Sequence, residues 1–133
     1  GLHFAGTFSA NPLTISASIA TLQELQKGHF YQHGEELGSL LEINLIKELK
    51  EYADSFEFKR LGSVFVFKPL KNKQIYSELY NDYSKLNTAM LREGFIMTPS
   101  PDETMYISYS NTEEDILSFS NTLAKIFIKE IIK

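Results

Sequence analysis

The spacing of apolar residues changes partway along this chain, and the change limits the folds that the chain can adopt. Between Phe30 and Tyr52 apolar side chains recur every three or four residues, as they do on one face of an amphipathic helix. Further on, Phe56 and Phe58 alternate with charged residues, and residues 62–67 (Gly-Ser-Val-Phe-Val-Phe) predict a strand that ends before Pro69. Together the two patterns predict an α+β domain with helices packed on a sheet.

Local signals predict where the other elements begin and end. Asn11-Pro12 predicts a capped helix start, and Gly28 is expected to end that helix. A third helix is predicted over about 75–92, ending at Gly94, and a capping box at Thr112 to Asp115 predicts the last one. Short strands are predicted over 95–97 and 105–109. The order α-α-β-β-α-β-β-α indicates a small, mainly antiparallel sheet covered by helices on one face.

The first helix carries an unusual number of small side chains beside its apolar stripe. Thr14, Ser16, Ala17 and Ala20 are examples. Small residues allow another surface to approach the backbone closely, so this helix is expected to be packed on more than one side.

Composition excludes several classes of function. The 133 residues carry 13 basic and 17 acidic side chains, a net charge of −4, which argues against nucleic acid or a membrane surface as partners. The sequence has no Cys, so disulfides and thiol catalysis are excluded, and a cytoplasmic location is expected. No apolar run reaches membrane-spanning length. The first residue is Gly1 rather than Met, and this favours a piece of a longer protein.

Three groups of residues are candidates for chemistry, and each also has an ordinary structural interpretation. His29, His33 and Glu36 are spaced as on successive helical turns, but no further ligand accompanies them, so no metal site is expected. The acids Glu113 to Asp115 are explained by a helix N-terminus. The tyrosines of the third helix (Tyr76, Tyr80 and Tyr83) form either an aromatic binding face or half-buried core, and helical spacing favours core.

The beginning of the chain combines a glycine, two hydroxyls and a helix cap. Gly6, Thr7 and Ser9 precede Asn11-Pro12. Backbone N–H groups and a Thr hydroxyl beside a helix start suit a phosphate, but the same pattern is also that of an ordinary cap. These residues alone leave both interpretations open.

Four stretches, taken in order, resemble the class III aminotransferases, a family of pyridoxal-phosphate enzymes. Each follows a family motif: Gly-Thr…Asn-Pro, Gly-Ser-x-Phe, Met-Leu-x-x-Gly and Pro-Ser-x-x-Glu. In this chain the motifs lie at Gly6 to Pro12, Gly62 to Phe65, Met90 to Gly94 and Pro99 to Glu103.

The resemblance implies both a fold and a set of roles. Residues 29–133 are expected to form the C-terminal small domain of fold-type I pyridoxal-phosphate enzymes, and residues 1–28 a segment and helix that leave a large domain. Thr7 is expected to reach the pyridoxal 5'-phosphate of the other subunit in a homodimer, with Gly6 and Ser9 as neighbouring cofactor contacts. Glu103 is expected near the amine of a small amino-acid substrate. The Schiff-base Lys is expected upstream of Gly1, so the chain by itself is predicted to be inactive.

Departures from the family pattern guide the choice of branch. Ala10 stands where the family usually has Gly, and Asn111 where it has His. No Arg lies in residues 99–110, whereas transaminases of this class often hold an acceptor carboxylate with an Arg in this domain. This favours the glutamate-1-semialdehyde 2,1-aminomutase branch, which moves an amino group within one molecule to give 5-aminolevulinate. The alternatives are a transaminase of the same class acting on another amino acid or a sugar, and a non-catalytic dimerisation or ligand-binding domain.

Overall fold

The computed structural model describes Gly6 and residues 11–70 and 76–133. These residues form four α-helices and three strands, with a 3₁₀ segment after the second helix and a π-helical turn after the fourth. In chain order the elements are α1 (Pro12–Leu25), α2 (His29–Glu48), the 3₁₀ segment (Lys50–Ser55), β1 (Phe56–Leu61), β2 (Val64–Pro69), α3 (Tyr76–Arg92), β3 (Met105–Tyr106), α4 (Glu113–Phe127) and the π-helical turn (Ile128–Ile132).

The predicted helix boundaries at Asn11, Gly94 and Thr112 are confirmed, whereas α1 ends at Leu25 and Gly28 instead directly precedes α2. The Asn11 side chain accepts hydrogen bonds from the N–H groups of Leu13 and Thr14, at 3.0 and 3.4 Å. At α4 the Thr112 hydroxyl accepts from the N–H of Asp115 while the Asp115 carboxylate accepts from the N–H of Thr112, at 3.2 and 2.8 Å, which completes the capping box. Gly94 has φ +90°, the left-handed conformation that ends α3.

The three strands form one antiparallel sheet in the order β1-β2-β3. The second strand starts at Val64 rather than at Gly62 as predicted, because Leu61 pairs with Val64 and the hairpin turn consists of Gly62 and Ser63. Gly62 supplies the positive φ of +59° that such a turn requires. On β2 the buried Phe65, Phe67 and Pro69 alternate with partly exposed residues. This alternation directs one face of the sheet toward the core.

The helices cover that buried face. Helix α2 packs beside α4 and contacts β1, while α3 contacts β2 and α4. The Phe67 ring stacks on Phe56 at 5.4 Å between centroids and meets Phe127 of α4 edge-on at 5.5 Å. The buried apolar side chains are Leu37, Leu41, Leu45, Leu49, Phe65, Phe67, Tyr83, Leu86, Met90, Met97, Met105, Ile107, Ile116, Leu123, Ala124, Ile126, Phe127 and Ile131.

The predicted strand over 95–97 is wrong, and the one over 105–109 is shorter than expected. The N–H of Phe95 donates to the carbonyl of Met90 at 3.0 Å, which closes the end of α3. Residues 95–97 therefore form no strand in the described chain, and β3 covers only Met105 and Tyr106. The order is consequently one strand shorter than predicted.

The expectation that the first helix is packed on more than one side is also wrong within this chain. None of the residues of α1 is buried, and its apolar Leu13, Ile15, Ile19 and Leu22 are all exposed. The second helix ends at Glu48 rather than at Tyr52, because the backbone tightens into the 3₁₀ segment that leads to β1. Among the described helices none has the length and apolar content needed to cross a membrane.

Candidate functional site

The residues predicted to contact a cofactor lie at the beginning of the chain. Gly6 is exposed and belongs to no helix or strand, whereas Thr7 and Ser9 lie outside the described residues. The N–H groups of Leu13 and Thr14 already donate to Asn11. These two donors are therefore not free to bind a phosphate, and the roles of Gly6, Thr7 and Ser9 remain predictions.

The predicted substrate residue, Glu103, lies on the loop over residues 98–104, between α3 and β3. Its N–H donates to the Ser100 carbonyl at 3.2 Å, and the N–H of Asp102 donates to the Ser100 hydroxyl at 3.2 Å. These bonds fold the loop into a tight turn. The Glu103 side chain is exposed, so its carboxylate is accessible to another molecule.

The first residue of this loop is fixed by α3. The Tyr83 hydroxyl donates to the Thr98 carbonyl at 3.0 Å, and the Asn87 side-chain amide donates to the same oxygen at 2.9 Å. Tyr83 itself is buried. Burial raises the pKa of its phenol, and the negative charge of Glu103 adds to the effect, whereas the hydrogen bond to Thr98 opposes it.

Asp102, next to Glu103, joins the far end of the loop to two other elements. One carboxylate oxygen lies 2.9 Å from Lys68 Nζ at the end of β2, and the other accepts from the Tyr76 hydroxyl at 2.5 Å, at the start of α3. The hydrogen bonds from Tyr76 and then Lys68 hold the pKa of Asp102 below its usual range. The same carboxylate raises the pKa of Tyr76 to about 12.

The sequence analysis missed this cluster of Lys68, Tyr76 and Asp102. Tyr76 is 60% exposed and Tyr83 is fully enclosed, so the interpretation of the three tyrosines as half-buried core describes neither of these two. Tyr76 and Asp102 are 26 positions apart, and no local pattern links residues at that distance.

An apolar cleft of about 520 Å³ adjoins the loop. The loop residues Thr98 and Thr104 line it together with the exposed Ile96 and Tyr106. Phe119 of α4 contributes to its inner wall. The loop that carries Glu103 thus borders a concave, mostly apolar surface, the kind of surface that small-molecule sites use.

Arg60 is not available to bind a substrate carboxylate. Its Nε lies 2.7 Å from Glu42 and its Nη1 2.8 Å from Glu35, while Nη2 donates to the Ser39 hydroxyl at 2.8 Å. Partial burial lowers the guanidinium pKa, but the hydrogen bonds to Glu35 and Glu42 outweigh it, so the pKa of Arg60 is raised. The residue joins β1 to α2.

His29 and His33 flank the ring of Tyr109, with ring centroids 6.0 and 5.1 Å from it. His33 Nε2 lies 3.1 Å from the backbone carbonyl oxygen of Asn111. Throughout the described ranges no group of three or more His, Asp or Glu side chains is arranged to hold a metal ion. The geometry here is that of side chains packed between α2 and the loop before α4.

Comparison with known proteins identifies the family. No family model matches the sequence. A protein named glutamate-1-semialdehyde 2,1-aminomutase from Methylacidiphilum infernorum is 37% identical over 137 residues, covering 99% of this chain and 30% of its own length. A protein of the same name from Akkermansia muciniphila is 36% identical over 125 residues, a match that covers 86% of this chain and 28% of that protein.

The chain belongs to the class III pyridoxal-phosphate aminotransferases. It spans about 30% of the length of these relatives and corresponds to a C-terminal part of the family.

Solved structures agree in fold. An omega-transaminase from Sphaerobacter thermophilus matches with a TM-score of 0.82 at 18% identity, over 99% of this chain and 31% of that one. A transaminase with pyridoxal phosphate bound matches with a TM-score of 0.80 at 24% identity, over 98% of this chain and 30% of that one. The predicted small α+β domain of this class III chain is confirmed.

Proposed function

We propose that the chain is the C-terminal part of a pyridoxal-phosphate-dependent aminomutase that converts glutamate-1-semialdehyde into 5-aminolevulinate. The observation that carries this proposal is the 37% identity over 99% of the chain to a protein named as that aminomutase.

The division of the chain follows from the same proposal. Residues 1–28 would connect to a large domain, and residues 29–133 would form the small domain. The absence of any buried residue in α1 supports this boundary, because a helix with several apolar side chains is stabilised by packing rather than by propensity alone. Homodimer formation and a cytoplasmic location belong to the same proposal.

The described residues do not form a complete pyridoxal-phosphate site by themselves. None of the described lysines is buried. Among those that form ion pairs, Lys68 has the least exposed side chain, and it binds Asp102. The residues of this chain proposed to contact the cofactor are Gly6, Thr7 and Ser9. The cofactor, when bound in the longer protein, supplies stabilisation of a carbanion. The chain alone is expected to be inactive.

The part that this chain plays in the reaction is to bind and orient the substrate. The Glu103 side chain is exposed and lies on a turn with two internal hydrogen bonds, and the next residue, Thr104, lines the apolar cleft. A carboxylate in that position attracts the substrate ammonium group and fixes its direction.

The test uses the longer protein encoded by the gene that contains this chain. An aminomutase forms 5-aminolevulinate from glutamate-1-semialdehyde with no amino donor or acceptor added. A transaminase gives product only when a second substrate is supplied, and a non-catalytic domain gives none and takes up no cofactor. Thr7→Ala should weaken cofactor retention, measured from the absorbance of bound pyridoxal phosphate after dialysis, and unchanged retention would contradict the role of Thr7.

A further inference from the structure

We propose that Asp102 is a positioning residue that, through Tyr76 and Lys68, fixes the turn that presents Glu103 to the substrate. This inference rests on the proposed role of Glu103 in binding the substrate amine. It adds residues that neither the family resemblance nor the comparisons single out.

The two oxygens of the Asp102 carboxylate bind different parts of the fold. One lies 2.9 Å from Lys68 Nζ on β2, and the other accepts from the Tyr76 hydroxyl on α3. Asp102 directly precedes Glu103 in the chain, so the contacts of the Asp102 carboxylate limit the movement of Glu103. The turn is thereby fixed to a strand and to a helix that belong to the core.

Helix α3 holds both ends of the loop. Tyr83 and Asn87 bind Thr98, and Tyr76 binds Asp102. Tyr76, Tyr83 and Asn87 are spaced by seven and four residues, which places them on one face of the helix. Removal of the Asp102 contact would leave Thr98 bound to α3 and Met105 paired with Phe65 of β2, while the turn between them would keep only its internal bonds to Ser100.

A positioning role and a purely structural role differ in their expected effects on reaction rate and on folding stability. The side chains of the cluster are exposed to different degrees, 23% for Lys68 and 48% for Asp102, and exposed ion pairs contribute little to stability. A displacement of about 1 Å in a reacting group, by contrast, costs about 100-fold in rate. A positioning cluster should therefore affect turnover more than folding.

The experiment measures kcat and KM of the longer enzyme for its substrate, with thermal unfolding measured in parallel. Asp102→Ala and Tyr76→Phe are each expected to lower kcat/KM by about 10-fold or more while leaving the unfolding temperature nearly unchanged. Tyr80→Phe is the matched control, because the Tyr80 ring lies 5.5 Å from that of Tyr76 and makes no hydrogen bond to Asp102. A loss of activity that simply follows a loss of stability would overturn the inference.

A double-mutant cycle separates this inference from the proposed function. If Asp102 acts through Glu103, then Asp102→Ala should have little further effect in a Glu103→Gln background. Additive losses would overturn the positioning role while leaving the role of Glu103 intact. If Glu103→Gln alone leaves kcat/KM unchanged, the proposed role of Glu103 fails, and the positioning role fails with it.

Discussion

The backbone carbonyl oxygen of Gly62 lies directly against Gly38, in the space that a Cβ atom at position 38 would occupy. One helical turn earlier, Gly34 faces the side chain of Ser63. The two glycines of α2 thus allow the β1–β2 turn to approach the helix backbone. The Ser63 carbonyl in turn accepts from the N–H of Ile107 at 2.8 Å, which connects the segment after β3 to the same turn.

Gly38→Ala is expected to destabilise the protein, because the new methyl group overlaps a backbone oxygen that cannot rotate away. The expected loss is about 1–3 kcal/mol in the free energy of unfolding, measured by urea denaturation. Helix propensity alone would favour Ala over Gly by about 1 kcal/mol, so the sign of the change is informative. Gly34→Ala is the control and should cost less, since its new methyl group would lie 3.0 Å from Ser63 Cβ, whereas the one at position 38 would lie closer still to the Gly62 oxygen. A stabilised Gly38→Ala variant would contradict the close approach.

Leu45 and Ile46 are adjacent on α2 but have opposite environments. Leu45 is 0% exposed within the core and Ile46 is 52% exposed. Leu45→Ala should lower the free energy of unfolding by about 2–5 kcal/mol, whereas Ile46→Ala should change it by about 0.5 kcal/mol. Denaturant unfolding of both variants tests the placement of the helix face, and equal losses would show that the face is assigned wrongly.

Thr112→Ala removes half of the capping box of α4. The variant should lose about 1 kcal/mol of stability, and the amide protons of the first helical turn should exchange faster with solvent. Ser118→Ala, on an exposed position of the same helix, serves as the control and should be neutral or slightly stabilising. Unchanged exchange at the N–H of Asp115 in Thr112→Ala would contradict the capping role.

The stability contribution of Asp102 should depend on pH. The pKa of its carboxyl is lowered from an ordinary 3.8, so the contribution is fully present above that value and disappears as the pH falls through the lower folded pKa. The Tyr76 phenol acts in the opposite sense, because its pKa is raised from 10.0 to about 12, so its contribution is lost as the pH rises through that range.

Nuclear magnetic resonance titration of the Asp102 carboxyl carbon measures this coupling directly. Tyr76→Phe should raise the pKa of Asp102 toward its ordinary value, because the hydrogen bond from the Tyr76 hydroxyl is the largest cause of the shift. Tyr80→Phe should leave the titration where it is. An Asp102 pKa that is the same in wild type and Tyr76→Phe would show that the hydrogen bond is not formed in solution.

Signals that act over a few residues could be predicted from the sequence. Asn11 and the Thr112–Asp115 pair cap helices through bonds to residues two or three positions away, and Gly94 ends α3 through its own φ angle. The core face of α2 followed from its apolar spacing. Each of these features is decided by the chain within one helical turn.

The predictions that proved wrong depended on partners distant in sequence. An extended apolar segment at residues 95–97 had the composition of a strand, but the N–H of Phe95 donates to the Met90 carbonyl. Tyr83 and Asn87 donate to the carbonyl of Thr98, the next residue, so α3 holds the segment from both sides. The small residues of α1 were expected to be covered, yet no other described element buries them. Local propensity fixes neither the conformation of residues 95–97 nor the burial of α1, because both depend on contacts with residues outside the segment.

The sequence by itself determined the class III family, the α+β composition and the helix caps at Asn11, Gly94 and Thr112, since motif order and local backbone preference are properties of nearby residues. The tertiary structure alone decided that Arg60 binds Glu35 and Glu42, and that Asp102 lies between Lys68 and Tyr76. These partners are 18 to 34 positions apart in the chain. Their side chains meet only after the helices have packed on the sheet, because no local preference specifies a distance between atoms on different elements.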